Sequence, residues 1–178
     1  HALPLYLQIS EMLIREINAG RLADGERLPP ERQYAESLGI SVGTLRKALA
    51  DLTEKGLLDR VQGSGNYIRA RDDVQAVYAF FRVELLEGGG LPTADLLSVE
   101  TVDKPQDLPA FGTAPQAHRI RRLRQLNGAP AVLEEIFLDA GYTSRITPDD
   151  LSESLYLFYR DRLGLHIARV EDRLALGE

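Results

Sequence analysis

The stretch from Leu28 to Ile68 constrains this chain more than any other part of its sequence. It reads LPPERQYAESLGISVGTLRKALADLTEKGLLDRVQGSGNYI. Its apolar spacing predicts two short helices and then a two-stranded hairpin. The connection between the helices, Gly39-Ile40, is short enough to force a steep angle between them. The pattern predicts a winged helix-turn-helix, in which the second helix would lie in a DNA major groove.

The second helix of the pair is predicted to begin after Ser41 and to end at Gly56. A serine hydroxyl can accept a hydrogen bond from a first-turn backbone N–H, which makes Ser41 a good N-cap. One face of this helix is apolar: Leu45, Ala48, Leu49 and Leu52. The opposite face carries small residues and two cations: Val42, Gly43, Arg46, Lys47 and Ala50. We predict that this second face reads DNA.

The neighbouring segments complete the predicted domain. The first helix of the pair opens at Pro30, turns its apolar side chains inward and ends at Gly39. An earlier amphipathic helix follows from four residues at helical spacing: Leu5, Ile9, Leu13 and Ile17. The wing strands, 57–61 and 66–68, flank the turn 62–65, whose two glycines permit close approach of the backbone to a phosphate or a minor groove.

The segment from Pro4 to Ile68 resembles the GntR family of bacterial transcription regulators. The runs that carry the resemblance are PLYLQI at 4–9, LPPER at 28–32, SVGTLRKAL at 41–49 and QGSGNYI at 62–68. The resemblance implies that operator DNA is contacted by residues in the helix pair and in the wing: Arg32, Ser41, Val42, Thr44, Arg46, Lys47, Gln62 and Gly63. The family usually has arginine where this chain has Val42, so we expect one base contact to be replaced.

The charge distribution is consistent with DNA binding by the first part of the chain only. The formal net charge of the whole chain is -6. Residues 1–71 hold ten Lys and Arg against nine Asp and Glu, whereas residues 72–178 hold eleven against eighteen. Within 41–71 six cations face three anions, and contact with phosphates requires only such a local patch.

The second half of the chain predicts an antiparallel α+β domain. Apolar spacing indicates a helix from Val74 to Leu85, ended by the glycines at 88–90. Strands are predicted at 96–102, 118–126, 131–139 and 166–176, with a helical turn at 147–150 and a helix at 154–163. Runs of strands interrupted by helices, without regular βαβ alternation, favour this class over a parallel sheet.

The dipeptide Asn127-Gly128 predicts a hairpin but leaves its register open. A turn of two residues would place Glu134 on the opposite face of the sheet from Arg122. A loop of three residues, ending at Ala129, would pair Glu134 with Arg122 and would keep Pro130 at the first residue of a strand. We prefer the three-residue loop.

Two arginines on one face of the predicted central strand require an anionic partner. Arg122 and Arg124 share a face with Ile120 and Leu126 by the period of two. Guanidinium groups among apolar neighbours are costly unless they are paired. Internal carboxylates are one explanation, and a bound anionic effector is the other.

The second half is similar to the UTRA effector-sensing domain of the HutC branch of the GntR family. The runs RLRQLNGAPAVLEEIFL at 122–138 and SLYLFYRDRLGL at 154–165 carry this resemblance. It implies an effector site formed by Arg122, Arg124 and Glu134, with the segment near Phe80 beside it. The family often has serine near Phe80, and its domain continues beyond the position of Glu178, so we expect an incomplete C-terminus.

The sequence therefore predicts a cytoplasmic, ligand-responsive DNA-binding regulator, most simply a repressor. We expect a DNA-binding domain at 1–70, a linker at 71–76 and an effector-binding and dimerisation domain at 77–178. The expected partners are an inverted-repeat operator, a small anionic metabolite and a second copy of the chain. We expect no association with a membrane. The sequence has no cysteine, and we expect no catalytic residue, metal or cofactor. The alternatives are a DNA-binding protein with a decayed sensor, or an enzyme similar to chorismate lyase.

Overall fold

The computed structural model describes residues 3–71, 81, 83–151, 154–167 and 172–176. The first domain contains three helices and a hairpin: α1 (Leu5–Asn18), α2 (Glu31–Ser37), α3 (Val42–Glu54), β1 (Leu58–Val61) and β2 (Gly65–Ile68). The second contains three strands, a 3₁₀ turn and a helix: β3 (Pro92–Asp103), β4 (Gln116–Leu126), β5 (Ala129–Asp139), the turn Pro148–Asp150 and α4 (Leu155–Leu163). Of the described helices, none is long and apolar enough to cross a membrane.

The core of the first domain lies between α1, α3 and the wing. Its buried members alternate at helical spacing along both helices: Ile9, Leu13, Ile14, Ile17, Leu45, Ala48, Leu49 and Leu52. A polar group also joins the helices, because the buried Ser10 hydroxyl contacts Asp51 and the Lys55 ammonium lies 3.5 Å from the carboxylate of Glu11. With both apolar and polar contacts, α1 and α3 form one packed unit.

The predicted helix boundaries are confirmed for α3 and need one change for α2. The Ser41 hydroxyl accepts a hydrogen bond from the Thr44 backbone N–H at 3.1 Å, so it is the N-cap that the sequence predicts. The sequence places Pro30 inside the first turn of α2. It lies instead at the N-cap with φ -51° and ψ 137°, and Glu31 is the first helical residue.

The second domain is built on an antiparallel sheet in the order β3-β4-β5, so β4 lies at its centre. Along β4 every second residue from His118 to Leu126 is buried, as the period of two predicts. Helix α4 and the segment before it cover this face. The resulting core consists of Ile120, Ile146, Leu151, Leu155, Phe158 and Tyr159.

The hairpin between β4 and β5 has a two-residue turn, so the expected three-residue loop is wrong. Leu126 pairs with Ala129, and Asn127 and Gly128 have φ values of 50° and 79°, both in the region that the tight turn requires. The register then shifts by one residue between Arg124 and Gln125. This β-bulge beside Pro130, which has no N–H for the ladder, restores the pairing of Arg122 with Glu134.

Other predicted boundaries in the second domain also differ from the structure. The strand expected at 96–102 begins at Pro92, and no strand forms at the described residues of 166–176. Of the helix expected at 74–85, residues 74–80 and 82 lie outside the described residues, and Phe81 and 83–85 are not helical. The three glycines at 88–90 therefore lie in a turn and the approach to β3 rather than ending a helix.

Candidate functional site

Helix α3 presents its polar face to solvent beside the wing. Arg46 and Lys47 are exposed, and the Arg46 side chain retains 65% of its accessible surface. The Thr44 hydroxyl lies 2.9 Å from that of Ser41, so the two hydroxyls form one polar group at the N-terminus of α3. The sequence predicts that Val42 faces outward with Arg46 and Lys47. In the structure it is half-buried and packs against the core of the first domain.

Glu31, in the first turn of α2, joins α3 to the wing. Its carboxylate accepts a hydrogen bond from Arg46 Nε at 2.6 Å and another from Arg60 Nη2 at 2.9 Å. The bond from Arg46 lowers the pKa of Glu31, with a further contribution from the charge of Arg60. Sequence reasoning did not identify Glu31 or Arg60. The signal for Glu31 was its position in the helix-turn-helix, next to Arg32.

A groove of about 520 Å³ lies between the start of α2 and the wing. Its walls include Gln62 and Gly63 at the wing tip, Glu31, and the side chains of Arg27 and Arg60. Gln62 and Gly63 are exposed, as is Arg32 on α2. Of the predicted DNA-contacting residues, Gln62 and Gly63 line this groove, and Arg46 of α3 is hydrogen-bonded to Glu31 in its wall.

The second candidate site lies on the buried face of β4 and β5. Arg122 is 4% exposed, and its Nε and Nη2 donate to the same oxygen of Glu134 at 2.9 and 2.5 Å. Arg124 is 2% exposed, with Nη1 at 3.9 Å from that oxygen. The structure therefore brings together the three described residues that the sequence nominated. Phe80, the fourth, lies outside the described residues.

Two aromatic residues that sequence reasoning missed adjoin this arginine pair. Burial raises the pKa of Tyr159, on α4, to about 12, and the charges of Arg122 and Glu134 also act on its hydroxyl. The ring of Phe81 lies 4.0 Å from the guanidinium carbon of Arg124. We use the name arginine site for Arg122, Arg124, Glu134, Tyr159 and Phe81.

The opposite face of the sheet carries a second, exposed set of ion pairs. Arg121 lies 3.4 Å from Glu135, and both side chains keep 44% of their accessible surface. Glu134 and Glu135 thus point to opposite faces, as their adjacent positions on a strand predict, and their carboxylates cannot act as a pair. His118 is buried in β4 between Thr101 and the carbonyl of Thr143, in keeping with a structural role.

These features define a transcription regulator with a winged DNA-binding domain and a separate α+β domain. The first domain matches the model for bacterial regulatory proteins of the gntR family over residues 5–68. The second matches the model for the UTRA domain over residues 87–177. The chain belongs to the GntR family and carries a UTRA domain, which confirms both resemblances drawn from the sequence.

Sequence similarity to known regulators extends over nearly the whole chain. The HTH-type transcriptional regulator SmoD of Agrobacterium fabrum is 64% identical over 99% of this chain and 76% of its own length. The HTH-type transcriptional repressor NagR of Bacillus subtilis is 29% identical over 97% of this chain and 73% of its own. The mannosyl-D-glycerate transport/metabolism system repressor MngR of Escherichia coli is 27% identical over 96% of this chain and 73% of its own length.

Proposed function

We propose that this regulator is a repressor that a small anionic metabolite releases from its operator. Two copies of the chain would place their α3 helices in the half-sites of an inverted repeat. The observation that carries the sensing function is the meeting of Arg122, Arg124 and Glu134 on one buried face inside the UTRA domain. The bacterial chromosome, and hence the site of action, lies in the cytoplasm.

The chemistry of the arginine site fits a ligand that combines an anion with hydroxyl or amine groups. Guanidinium groups bind carboxylate or phosphate through paired N–H donors. The Glu134 carboxylate would accept hydrogen bonds from ligand hydroxyls. The charges of Arg122 and Glu134 both affect the pKa of Tyr159. The name of the relative MngR refers to mannosyl-D-glycerate, which has this combination of a carboxylate and a sugar.

Release follows if the ligand prefers an arrangement in which the two α3 helices no longer match the half-site spacing. A ligand can shift such an equilibrium only by its difference in affinity for the two arrangements. The arginine site then has a binding role and not a catalytic one. We therefore propose no reaction for this chain.

A thermal-shift screen of the full chain against sugar phosphates, mannosyl-D-glycerate, citrate and inorganic phosphate tests the sensing function. A ligand at about one hundred times its dissociation constant stabilises a protein by about 2.7 kcal/mol. A stabilising compound should also release operator DNA in a gel-shift titration. Chorismate is tested in the same screen and also in a separate assay for its conversion to product, because turnover of chorismate would support an enzyme instead.

Arg124→Ala and Arg122→Ala should each abolish the thermal shift produced by that compound. Arg121→Ala is the matched control, since it removes an arginine from the same strand but from the exposed face. If the Arg124 variant responds at the same ligand concentration as the unmodified chain, the assignment of the site is wrong. DNA binding that no metabolite changes would favour a decayed sensor.

A further inference from the structure

The arginine site and the DNA-binding domain share one aromatic ring. The Phe81 ring centroid lies 4.0 Å from the guanidinium carbon of Arg124 on β4 and 5.5 Å from that of Arg15 on α1. Both distances fall within the reach of cation–π attraction, about 6 Å. A single side chain thus contacts a guanidinium from each domain.

Val83 and Glu84 contact α1 and the residues just after it. Arg15 is 8% exposed, and its Nη2 donates to the Val83 carbonyl at 2.8 Å. Arg21, three residues beyond the end of α1, donates to the carboxylate of Glu84 at 2.9 and 3.0 Å and to that of Glu16. Phe81 and Val83 therefore contact Arg15 in the C-terminal half of α1, and Glu84 contacts Arg21 just beyond it.

The same segment is tied to the sheet a few residues later. The Leu91 N–H donates to Asn127 Oδ1 at 2.8 Å, and the Asn127 N–H donates to the Leu91 carbonyl at 3.0 Å. At Gly90 an added Cβ would lie 3.2 Å from Leu126, so the backbone passes close to the hairpin. Residues 83–91 therefore link Arg15 of α1 to the β4–β5 turn.

We infer that Phe81 is a positioning residue that couples occupancy of the arginine site to the orientation of α1. This inference rests on the proposed effector function of that site. An anion bound at the edge of the Arg124 guanidinium reduces its net positive charge, and the attraction to the Phe81 ring weakens with it. Because α1 packs with α3 as one unit, loosening α1 from Phe81 and Val83 changes how α3 is held relative to the sheet.

We assign the contact between Phe81 and Arg124 to the arrangement that binds operator. The attraction is strongest when Glu134 is the acidic group beside Arg124 and no anionic ligand adds its charge, and a repressor binds its operator in that condition. Loss of the contact should then weaken operator binding without any ligand. Phe81→Leu removes the π face and keeps a large apolar side chain, whereas Phe81→Tyr keeps the π face. Phe111→Leu is the matched control, since it removes a ring that lies 4.6 Å from the Lys104 ammonium within the second domain.

A double-mutant cycle on operator affinity measures the coupling. Phe81→Leu and Arg124→Ala should each weaken operator binding by about two- to fivefold, and the double variant by less than the product of the two. Phe111→Leu should bind as the unmodified chain does, and Phe81→Tyr should lose less operator affinity than Phe81→Leu. Arg15→Lys keeps the charge but loses the planar donor to the Val83 carbonyl, and it should behave like Phe81→Leu.

An effect of Arg124→Ala that is the same with and without Phe81→Leu would overturn the inference, as would unchanged operator affinity in both single variants. Loss of binding by Phe81→Tyr to the same degree as Phe81→Leu would show a packing role only. These measurements need no ligand. A coupled cycle with no responsive metabolite would thus refute the effector function alone, and a responsive metabolite with an uncoupled cycle would refute the role of Phe81 alone.

Discussion

Arg46 Nε, on the helix proposed to read DNA, lies 2.6 Å from Glu31 Oε2 in the first turn of α2. The other Glu31 oxygen accepts from Arg60 of the wing at 2.9 Å. A carboxylate beside a phosphate-binding surface opposes binding by its charge. Because the Glu31 carboxylate bonds to both guanidinium groups, we propose that it orients them before DNA binds.

Glu31→Gln should lower the preference for operator over random DNA by about two- to fivefold, as expected from an exposed ion pair of about 0.5–1 kcal/mol. The lost charge reduces repulsion from any DNA, while the lost hydrogen bonds free Arg46 and Arg60 to adopt other rotamers. Competition gel shifts with operator and random duplexes measure the ratio. Glu36→Gln is the control, since it removes the same charge from an exposed position of α2. Equal ratios for both variants would contradict an orienting role.

Arg46→Ala and Lys47→Ala should weaken binding in different ways. Arg46 lies one turn into α3, where an arginine can bind a guanine edge, and its loss should cost about 1–3 kcal/mol per half-site for operator DNA. Lys47→Ala should weaken binding to all sequences and reduce the dependence of log affinity on log salt by about 1. Titrations at several salt concentrations separate these effects. Operator affinity unaffected by Arg46→Ala would refute the placement of α3 on DNA.

Val42→Arg should shift base preference toward guanine at the position opposite residue 42. Valine cannot hydrogen-bond a guanine edge but can contact a thymine methyl. The half-burial of Val42 does not prevent the substitution, because an arginine stem can cover the core while its charged head extends into solvent. Selection of binding sites from random DNA with both proteins tests the shift. Identical consensus sequences would show that residue 42 does not face the bases.

The fold of the first domain was predictable from the sequence because its signals are local. Helical spacing, the Ser41 cap and the wing glycines each act within a few residues, and the structure agrees with them. The β4–β5 pairing was predicted for the wrong reason. The three-residue loop and the actual two-residue turn with a bulge give the same partner to Arg122, and the difference depends on how Pro130 meets the ladder.

The contacts of Phe81, Tyr159 and Glu31 could not be read from the sequence in the same way. Each contact depends on which distant elements pack together. The spacing of an aromatic residue along a helix does not indicate which residues it contacts in the folded protein. The helix predicted to end at Leu85 shows the limit of prediction from apolar spacing. Its apolar spacing is real, yet Phe81 contacts guanidinium groups of two other elements, and the described residues around it are not helical.

Asp139→Asn should make the second domain less stable at neutral pH and less sensitive to acid. Asp139, 4% exposed at the end of β5, contacts the Lys104 ammonium and accepts from the backbone N–H groups of Ala114 and Gly141. The hydrogen bond from Lys104, with help from those N–H groups, lowers the pKa of Asp139 below its usual value of 3.8. A carboxylate with a lowered pKa in the folded state stabilises the fold above its unfolded pKa, and this contribution disappears as the pH falls through the folded pKa.

The difference in thermal midpoint between the unmodified chain and Asp139→Asn should therefore be largest above about pH 5 and should shrink steadily below about pH 4. Thermal melts followed by circular dichroism at several pH values measure it. Asp149→Asn serves as the control, because Asp149 is exposed in the 3₁₀ turn and its loss should leave the midpoint nearly unchanged throughout. A difference for Asp139→Asn that stays constant down to about pH 2 would show that packing of the side chain, and not its charge, holds the 104–115 loop against the sheet.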